Sequence, residues 1–548
     1  MKGFISRLRF VAVGLAVAWV VALGLWAFTA CRGPHGEALP LGVSATDAVF
    51  PYDTDSICIP SNIAPLNFCL RPASGWSQAQ VRMCFFNREG ASVASFGVPM
   101  GKNGSRIPLK KWRKALQKAA GGQILVEVSA VKEGVLYRLE PLHWFVSQDA
   151  IDPYLLFRAS QYEEGEHGWV FLRQRRLTDF ETRQVLDNRL MDKNCMNCHD
   201  CYDHRASHMV VHLREAHKGT LLINGKEARK IQVPANYQIR LTYPAWHPSG
   251  RYVAFSTNLP HSVHYANATH KIIYTLDTLS DIVVLDVENM RLFSCPELTR
   301  EEDEAVFPTW SRDGKRLYFC VSPHKRYDSL PYPQYADTSL GFRQNRVEQV
   351  WADLMQMDFD PETERFSNFA CTYPFSQMQK SACMPKLSPD GKYMVVSLLK
   401  ASTFPLQNLG DFYRLNLQDS TVEELCELNT EGSEKGHSFS SSGKWMVFSS
   451  SRRTLAIPET YITHYDSVSG HFSRPFLVPQ KWGDFYLTNL RGFVFPVLST
   501  EPAALQARAL AGVAREEAMD LQIDTSLEGF RITDEELEAG TVQFVGGH

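Results

Sequence analysis

The sequence lacks a charge excess of either sign. Its 548 residues carry 57 Lys and Arg against 60 Asp and Glu, a formal net charge of −3. Proteins that bind nucleic acid through its phosphates usually present a strongly basic surface, so nucleic-acid binding is not expected. Charged residues make up 21% and aromatic residues 11% of the chain, which excludes disordered and collagen-like proteins. The length predicts two or three domains, each able to bury an apolar core.

The sequence also lacks the common catalytic signatures. It contains no G-x-S-x-G nucleophile elbow, no H-E-x-x-H zinc motif and no phosphate-binding P-loop. Serine hydrolases, zincin peptidases and P-loop NTPases are therefore excluded as classes. A role other than catalysis is favoured.

Cysteine is sparse, with 12 residues, far below the density of a disulfide scaffold. The distribution is uneven, because three of the twelve lie at Cys195, Cys198 and Cys201. This cluster is the feature that most needs a chemical explanation.

The N-terminal segment, residues 1–31, is typical of export. Basic residues Lys2, Arg7 and Arg9 precede an uncharged apolar run over residues 10–30, which ends at Cys31. The positive flank stays in the cytoplasm, so all residues after 31 are predicted to lie on the opposite side of the membrane. Cys31 follows a small residue, as in a lipoprotein cleavage site where the thiol is lipidated, although the run is also long enough to remain as an uncleaved anchor. Both alternatives place the protein on a membrane facing the periplasm, or on the cell surface, of a Gram-negative bacterium, where disulfides are allowed.

The rest of the chain is predicted to be mainly β. Short alternating runs such as residues 81–86 and 124–128 indicate a β-sandwich. A capping box over residues 178–181, followed by helically spaced Val185, Leu186, Leu190 and Met191, predicts a connector helix that delivers the cysteine cluster. The predicted segments are a linker over 32–50, a sandwich over 51–150, a connector over 151–205, a β-propeller over 206–498 and a tail over 499–548.

The propeller prediction depends on an internal repeat. Each copy reads as a strand, a tight turn ending in Gly, and a second strand of alternating aromatic and aliphatic residues. Four copies are present, at residues 243–256, 307–319, 384–396 and 437–448. Their uneven spacing indicates insertions, and about 290 residues at roughly 45 to 50 a blade predicts six blades, with seven as the alternative. The repeats resemble the TolB-type relatives of WD-repeat propellers.

Cys195-Met196-Asn197-Cys198-His199 is a C-x-x-C-H pentapeptide, the attachment signature of c-type haem. Two thiols of this spacing can bond to the two vinyl groups of one porphyrin, and the adjacent imidazole then binds the iron. The sequence therefore predicts one covalent haem c, with His199 as an iron ligand. Two other interpretations stay open: a zinc site built from Cys195, Cys198, Cys201 and His204, and a redox-active disulfide between Cys195 and Cys198.

A sixth iron ligand and partners for the haem propionates are sought in the residues that follow. Alternation from Met209 onward predicts a strand that places His212 and Arg214 on one face. His212 is the favoured ligand, with His217 second, and His204, His208 and Met209 are further candidates. Arg205 and Arg214 are the candidate propionate partners.

The chain resembles one family, the exported C-x-x-C-H proteins of Bacteroidetes-type bacteria that carry a TolB-like propeller. The resemblance lies in the C-x-x-C-H motif, the residues that follow it and the repeats. The resemblance spans about residues 55–495 and is carried by segments 63–68, 193–199, 212–214 with 219–220, 280–287 and 476–480. Cys201 departs from it, because a small polar residue is expected directly after the motif and Asp200-Cys201 stands there. Members have a similar domain order and no assigned reaction.

The resulting prediction is a membrane-tethered mono-haem cytochrome-like protein that exchanges electrons with a protein partner docked on the propeller. One haem motif is too few for a multi-haem reductase or a di-haem peroxidase. Two alternatives remain. In one, the propeller binds a protein or glycan and the haem is structural or sensory, or is replaced by zinc or a disulfide. In the other, a haem with an open sixth position acts on peroxide or a small nitrogen oxide.

Overall fold

The computed structural model describes residues 39–44, 48–52, 56–72, 75–160, 168–237, 239–257, 259–266, 271–278, 280–323, 351–399, 410–455 and 457–530. Contacts divide the chain into two compact units. Unit 1 comprises the described residues of Met1–Ser56, Pro65–Ser147 and Gln480–Thr488, and unit 2 those of Ile57–Ala64, Gln148–Pro479 and Asn489–His548. The predicted export segment and Cys31 lie outside the described residues.

Unit 1 is built on one large sheet. Its strands are β1 (Leu39–Ser44), β5 (Trp76–Phe86), β6 (Ser92–Val98), β9 (Gln123–Lys132), β10 (Val135–Glu140) and β11 (Leu142–Val146). The long strand β9 lies in the middle, with β5 on one side and with β10 and β11 sharing the other. Two short pairs join β2 (Val49–Phe50) to β4 (Cys69–Leu70) and β7 (Met100–Gly101) to β8 (Gly104–Ser105). Where the sequence predicts two packed sheets, the described residues form one large sheet and these two pairs.

A helix covers one face of this sheet. Helix α1 (Leu109–Lys118) buries Trp112, Ala115 and Leu116, at the i, i+3, i+4 spacing that defines one helix face. The Trp112 ring meets Phe85 of β5 edge to face, with the ring centroids 5.8 Å apart. The four basic side chains of residues 110–114 are exposed, so they form the solvated face of this helix.

The described residues of unit 2 contain six large sheets, each built on four antiparallel strands. These four strands are in sequential order in every sheet except the first. The first sheet is formed by β12 (Tyr154–Ser160), β13 (Val170–Arg176), β14 (Thr182–Asp187) and β37 (Gly492–Ser499). The second is formed by β15 (Met196–Cys201), β16 (His208–Leu213), β17 (Gly219–Asn224) and β18 (Glu227–Gln232). The third is formed by β19 (Thr242–Trp246), β20 (Tyr252–Ser256), β23 (Ile282–Asp286) and β24 (Arg291–Phe293).

The remaining three sheets follow the same order along the chain. The fourth holds β25 (Asp303–Trp310), β26 (Arg316–Pro323), β27 (Asp353–Asp360) and β28 (Arg365–Tyr373). The fifth holds β29 (Ser381–Leu387), β30 (Tyr393–Leu399), β31 (Gly410–Asn416) and β32 (Val422–Glu424). The sixth holds β33 (Glu434–Phe439), β34 (Trp445–Ser450), β35 (Glu459–His464) and β36 (Phe476–Leu477). Short strand β3 (Ile57–Ile59) and the hairpin of β21 (Leu259–Ala266) and β22 (Lys271–Thr278) complete the strands before the tail.

The first strands of these sheets meet around a ring. Strands β15, β19, β25, β29 and β33 each contact the first strand of the next sheet, and β37 contacts both β33 and β15. We call these six the inner strands. Because β37 comes from the C-terminal part of the chain and pairs with β12, the first sheet joins the two ends of unit 2. A ring of four-stranded antiparallel sheets is the arrangement of a β-propeller.

The C-terminal segment also covers two outer sheet edges. Helix α2 (Phe485–Thr488) precedes β37, and helix α3 (Ala507–Arg515) follows it. Strands β38 (Met519–Asp520) and β39 (Gln522–Ile523) then pair in parallel with β18 and β24. Such coverage protects exposed strand edges from pairing with other chains. In the described residues, no helix is long and apolar enough to cross a membrane.

The structure corrects the predicted connector. Residues 178–193 contain strand β14 and a single 3₁₀ turn over Asn188–Leu190 instead of a helix. Val185 and Leu186 are buried in the core that joins the first two sheets, so sheet pairing overrides the helical spacing. The predicted connector, 151–205, contributes β12, β13 and β14 of the first sheet and β15 of the second.

The turn after each inner strand provides a test of packing between sheets. Gly314 and Gly391 occupy equivalent turns with φ of 72° and 73°. A methyl group on Gly314 would overlap the imidazole of His247, whose Nε2 lies 2.9 Å from the Gly314 carbonyl oxygen, whereas one on Gly391 would meet nothing within 4 Å.

We expect Gly391→Ala to lower the free energy of unfolding by about 1 kcal/mol, because alanine disfavours the positive φ of this turn. The same backbone cost applies to Gly314→Ala. Gly314→Ala is expected to cost a further 1–3 kcal/mol or so, because the added methyl also displaces His247. Urea unfolding of the two variants measures the difference. Equal midpoints would show that the His247 contact does not constrain this turn.

Candidate functional site

The C-x-x-C-H motif lies on an inner strand. Strand β15 contains Met196–Cys201, and Cys195 directly precedes it. Its partner β16 is the strand predicted from the alternation around His212. The motif is therefore built into the second sheet, at the end of the ring where the inner strands begin.

All six inner strands carry a two-residue bulge at equivalent positions. Four of these bulges read X-Pro: Tyr243-Pro244, Phe307-Pro308, Met384-Pro385 and Phe495-Pro496. The sixth sheet has Gly436-His437, and the second has Asn197-Cys198. The first residue has a positive φ in the four X-Pro bulges and at Gly436, and Asn197 does not share it. The motif thus replaces the X-Pro bulge that four other sheets use.

Side chains from these bulges fill the middle of the ring. Phe307 and Met384 belong to one buried cluster, against which Tyr243 and Phe495 pack. The Tyr243 and Phe307 ring centroids are 4.7 Å apart. Because these residues come from the first, third, fourth and fifth sheets, they meet in the interior of the ring.

The strand register assigns each motif side chain to a face of the second sheet. His199 pairs with Val211, which belongs to the core shared with the first sheet. Val210 belongs to the core shared with the third sheet, and alternation places His212 on that same face. His199 and His212 therefore lie on opposite faces of the second sheet.

His199 is 7% exposed and faces the first sheet. Neither ring nitrogen has a hydrogen-bond partner of full geometry among the described residues, although the carbonyls of Asn197 and Phe495 lie near it. Burial, reinforced by Arg158 of β12, lowers the pKa of His199 to about 4. The imidazole is therefore neutral, and a lone pair on nitrogen is available.

The three clustered thiols differ in their surroundings. Burial raises the pKa of Cys198, while the backbone N–H of Tyr243 on the third sheet, Arg214 and Arg158 lower it. Burial also raises the pKa of Cys201, which lies in the core shared with the first sheet. Cys195 is buried, and its backbone N–H donates to the Glu215 carboxylate at 3.1 Å.

The candidate sixth ligands are spread out. His212 is 7% exposed, its ring nitrogens have no partner among the described residues, and burial with Arg214 and Arg240 lowers its pKa to about 3. His217 bonds Asp192 through Nε2 at 2.8 Å, and His208 contacts Ser207 through Nδ1 at 2.9 Å. Met209 is buried in the core shared with the first sheet, and His204 lies in the 3₁₀ turn after β15.

The two candidate propionate partners lie at opposite ends of β15. The Arg214 backbone N–H donates to the Cys195 carbonyl at 2.9 Å, at the start of the strand. Arg205 follows the other end, where its side chain is 43% exposed and lies 3.7 Å from the Glu501 carboxylate. Of these two arginines, only Arg214 is close to the motif thiols.

The donor types of the motif suit a covalent haem c, since two thiols and one neutral imidazole are present. Their arrangement in this strand does not present them to one ligand, because Cys198 and His212 face the third sheet and His199 faces the first. Bis-imidazole binding by His199 and His212 does not fit this register. The assignment of these residues as iron ligands stays a prediction.

The two other interpretations of the cluster can be placed as well. Within the described ranges, no group of three or more His, Cys, Asp or Glu side chains converges as a metal site, so Cys195, Cys198, Cys201 and His204 are not gathered around a zinc position. Cys195 and Cys198 are free thiols, and no disulfide joins them.

Sequence reasoning missed two residues beside the motif, Arg158 and Arg240. Both lie far from it along the chain and come close only because the inner strands are neighbours. It also missed the repeat copy at Phe495-Pro496, for which the recurrence of an aromatic residue before Pro at 243–244 and 307–308 was an available signal.

Neither a family of known proteins nor a curated protein matches this sequence. Solved structures with a similar chain path include an oligogalacturonate lyase in complex with manganese, with 10% identity, a TM-score of 0.32, and coverage of 60% of this chain and 74% of the lyase. Another is the β-propeller domain of the Trilobed protease from Pyrococcus furiosus, with 10% identity, a TM-score of 0.29, and coverage of 66% and 91%. Prolyl oligopeptidase B from Galerina marginata has 10% identity, a TM-score of 0.31, and coverage of 59% and 44%. Likeness at this level assigns no activity.

Proposed function

We propose that this chain is an exported, membrane-tethered β-propeller binding protein, with the six sheets of unit 2 as its blades. Its functional site is the motif segment, residues 195–199, at the start of the second inner strand. The N-terminal apolar run tethers it, either through a lipid on Cys31 or as an uncleaved anchor. The partner is a protein or glycan bound to the propeller.

The observation that carries this proposal is the replacement of X-Pro by the motif. Four sheets meet the structural demands of the bulge with an apolar residue and Pro, which fixes the backbone and brings no reactive group. The second sheet instead places the Cys198 thiol there, with the Cys195 thiol and the unbonded neutral imidazole of His199 close by along the strand. A buried polar group without a partner costs about 1–3 kcal/mol, so its retention supports a functional use.

A second candidate is the mono-haem electron-transfer protein that the motif spacing predicts. It is favoured by His199, whose unbonded ring nitrogens suit an iron ligand, and by the free thiols of Cys195 and Cys198. Haem c would supply one-electron chemistry. The register described above does not present these donors together, which is why the binding scaffold is the leading proposal.

Native mass spectrometry of protein purified from its membrane fraction, after expression with the c-type maturation machinery, tests both. The leading proposal predicts a non-covalent bound mass on wild type that a Cys195→Ser/Cys198→Ser double variant loses. Cys201→Ser is the matched control and is expected to retain it, because Cys201 faces the other core.

A covalent adduct with a haem absorption spectrum, lost in the same double variant and kept in Cys201→Ser, would instead establish the second candidate. Protein that carries no bound mass in any form would contradict both.

A further inference from the structure

Three arginines surround the motif segment. Arg158 lies on β12, opposite Val494 of inner strand β37. Arg214 directly follows β16 and is bonded to the Cys195 carbonyl through its backbone, and Arg240 lies two residues before inner strand β19. They therefore come from three consecutive sheets and lie at the same end of the inner strands.

None of the three guanidinium groups forms an ion pair or a side-chain hydrogen bond with the part of the chain that the structure describes. Arg158 is only 9% exposed, and its Nε is buried without a partner, as is the Nε of Arg214. Elsewhere in unit 2 arginines are paired: Arg251 bonds Asp286, and Arg453 bonds Glu459. Unpartnered guanidinium nitrogens also occur at Arg183 of β14, so what distinguishes this end is that three unpaired guanidinium groups from neighbouring sheets lie around one motif.

The three charges act on the same few groups. Arg158 lowers the pKa of both His199 and Cys198, Arg214 lowers that of Cys198 and His212, and Arg240 lowers that of His212. Burial and Arg214 together lower the pKa of Arg240. The exposed carboxylate of Glu215 also lies near this end of the strands, where it accepts a hydrogen bond from the Cys195 backbone N–H. Like charges held together at a partly buried site favour a bound anion.

We propose that Arg158, Arg214 and Arg240 form an oxyanion site at the motif end of the ring, which binds phosphate or carboxylate groups of the protein or glycan partner. Guanidinium groups bind both chemistries through paired, charge-assisted hydrogen bonds. Cys198 and His212 are neutral groups on the face of the second sheet beside Arg214 and Arg240, and His199 is a neutral group on the other face beside Arg158. This inference deepens the proposed function and rests on it, since it names the ligand class of that site.

Calorimetric titration of haem-free protein with inorganic phosphate and, separately, with citrate tests the site. The two titrations distinguish a preference for phosphate from a preference for carboxylate. We expect saturable binding of at least one of them by wild type. Arg158→Gln, Arg214→Gln and Arg240→Gln should each weaken it by about 10-fold or more, since a hydrogen bond to a charged group contributes about 1.5–3 kcal/mol. Arg205→Gln, at the far end of β15, is the matched control and should leave the affinity within about 2-fold.

Thermal unfolding without the anion checks that the variants are folded. Removing one of three like charges should leave the melting temperature unchanged or raise it, and should remove the stabilisation that the anion gives to wild type. Absence of saturable binding by wild type, or an equal loss in Arg205→Gln, would overturn the oxyanion site. Because the titration uses haem-free protein and added anions, its failure is distinguishable from a failure of the proposed function, which the bound mass tests separately.

Discussion

A chain ending at Thr488 is expected to lose the cooperative unfolding of unit 2 while unit 1 retains its own. The truncation removes β37, the inner strand of the first sheet, which pairs with β12 along most of its length. It also removes the buried side chains of Phe493 and Leu498 and the contacts of β37 with its neighbours in the ring. Unit 1 keeps all of its segments, since its last one ends at Thr488.

The expected loss is large because the removed strand is central to the ring. Each buried Phe or Leu side chain contributes about 1.5–3 kcal/mol, and the exposed edge of β12 would add unpaired backbone groups. The sum is comparable with the whole stability of a domain, about 5–15 kcal/mol. Urea unfolding followed by circular dichroism, with limited proteolysis to identify the resistant fragment, measures it.

A chain ending at Phe530 is the matched control, because it keeps every residue that the structure describes. It should unfold as the full chain does. If the chain ending at Thr488 showed the same unit 2 transition as this control, β37 would not be the strand that closes the ring.

The sequence-based prediction of the fold succeeds where the determinants are local. The hairpins around Gly250, Gly314, Gly391 and Gly443 are visible in the sequence because a tight turn and two alternating strands lie within about 14 residues. The first sheet is not visible, since its inner strand comes from residues 492–499 and its other strands from residues 154–187. Pairing over that separation leaves no local pattern.

The connector helix was predicted wrongly for a related reason. Val185, Leu186, Leu190 and Met191 have a spacing that suits one helix face, but the same residues also suit a short strand followed by a 3₁₀ turn. Burial against Leu172 and Leu213 of neighbouring strands decides in favour of the strand.

The candidate site shows the same division. The spacing of Cys195, Cys198 and His199, and the strand that carries His212, can be predicted from the sequence. The face of each side chain cannot, because it depends on the bulge at Asn197-Cys198, which shifts the register between β15 and β16. Arg158 and Arg240 carry no local signal at all.

Acidification is expected to destabilise unit 2 through His437. This residue occupies the bulge of inner strand β33, is 3% exposed, and packs edge to face on Phe412 with the ring centroids 4.9 Å apart. The pKa of His437 is lowered to about 3, mainly by burial and further by the positive charge of Lys386. The Val395 carbonyl has a smaller effect in the opposite direction. The ordinary pKa of histidine is about 6.5.

The native state therefore holds His437 neutral, whereas the unfolded chain binds a proton below about pH 6.5. Above that pH, His437 does not reduce the free energy of unfolding. Below it, the free energy of unfolding falls by about 1.4 kcal/mol for each pH unit, until the pH reaches the folded pKa. Between pH 7 and pH 5 the expected loss from His437 is about 2 kcal/mol. Urea unfolding across this range measures it.

His437→Phe is the variant that isolates the effect, because it keeps an aromatic ring against Phe412 and removes the titrating group. Its free energy of unfolding should fall by about 2 kcal/mol less than that of wild type between pH 7 and pH 5. His471→Gln, at an exposed position, controls for the loss of one histidine and should follow the wild-type profile. Parallel profiles for wild type and His437→Phe would show that a proton reaches His437 in the folded state, which requires the inner strands to open at this bulge.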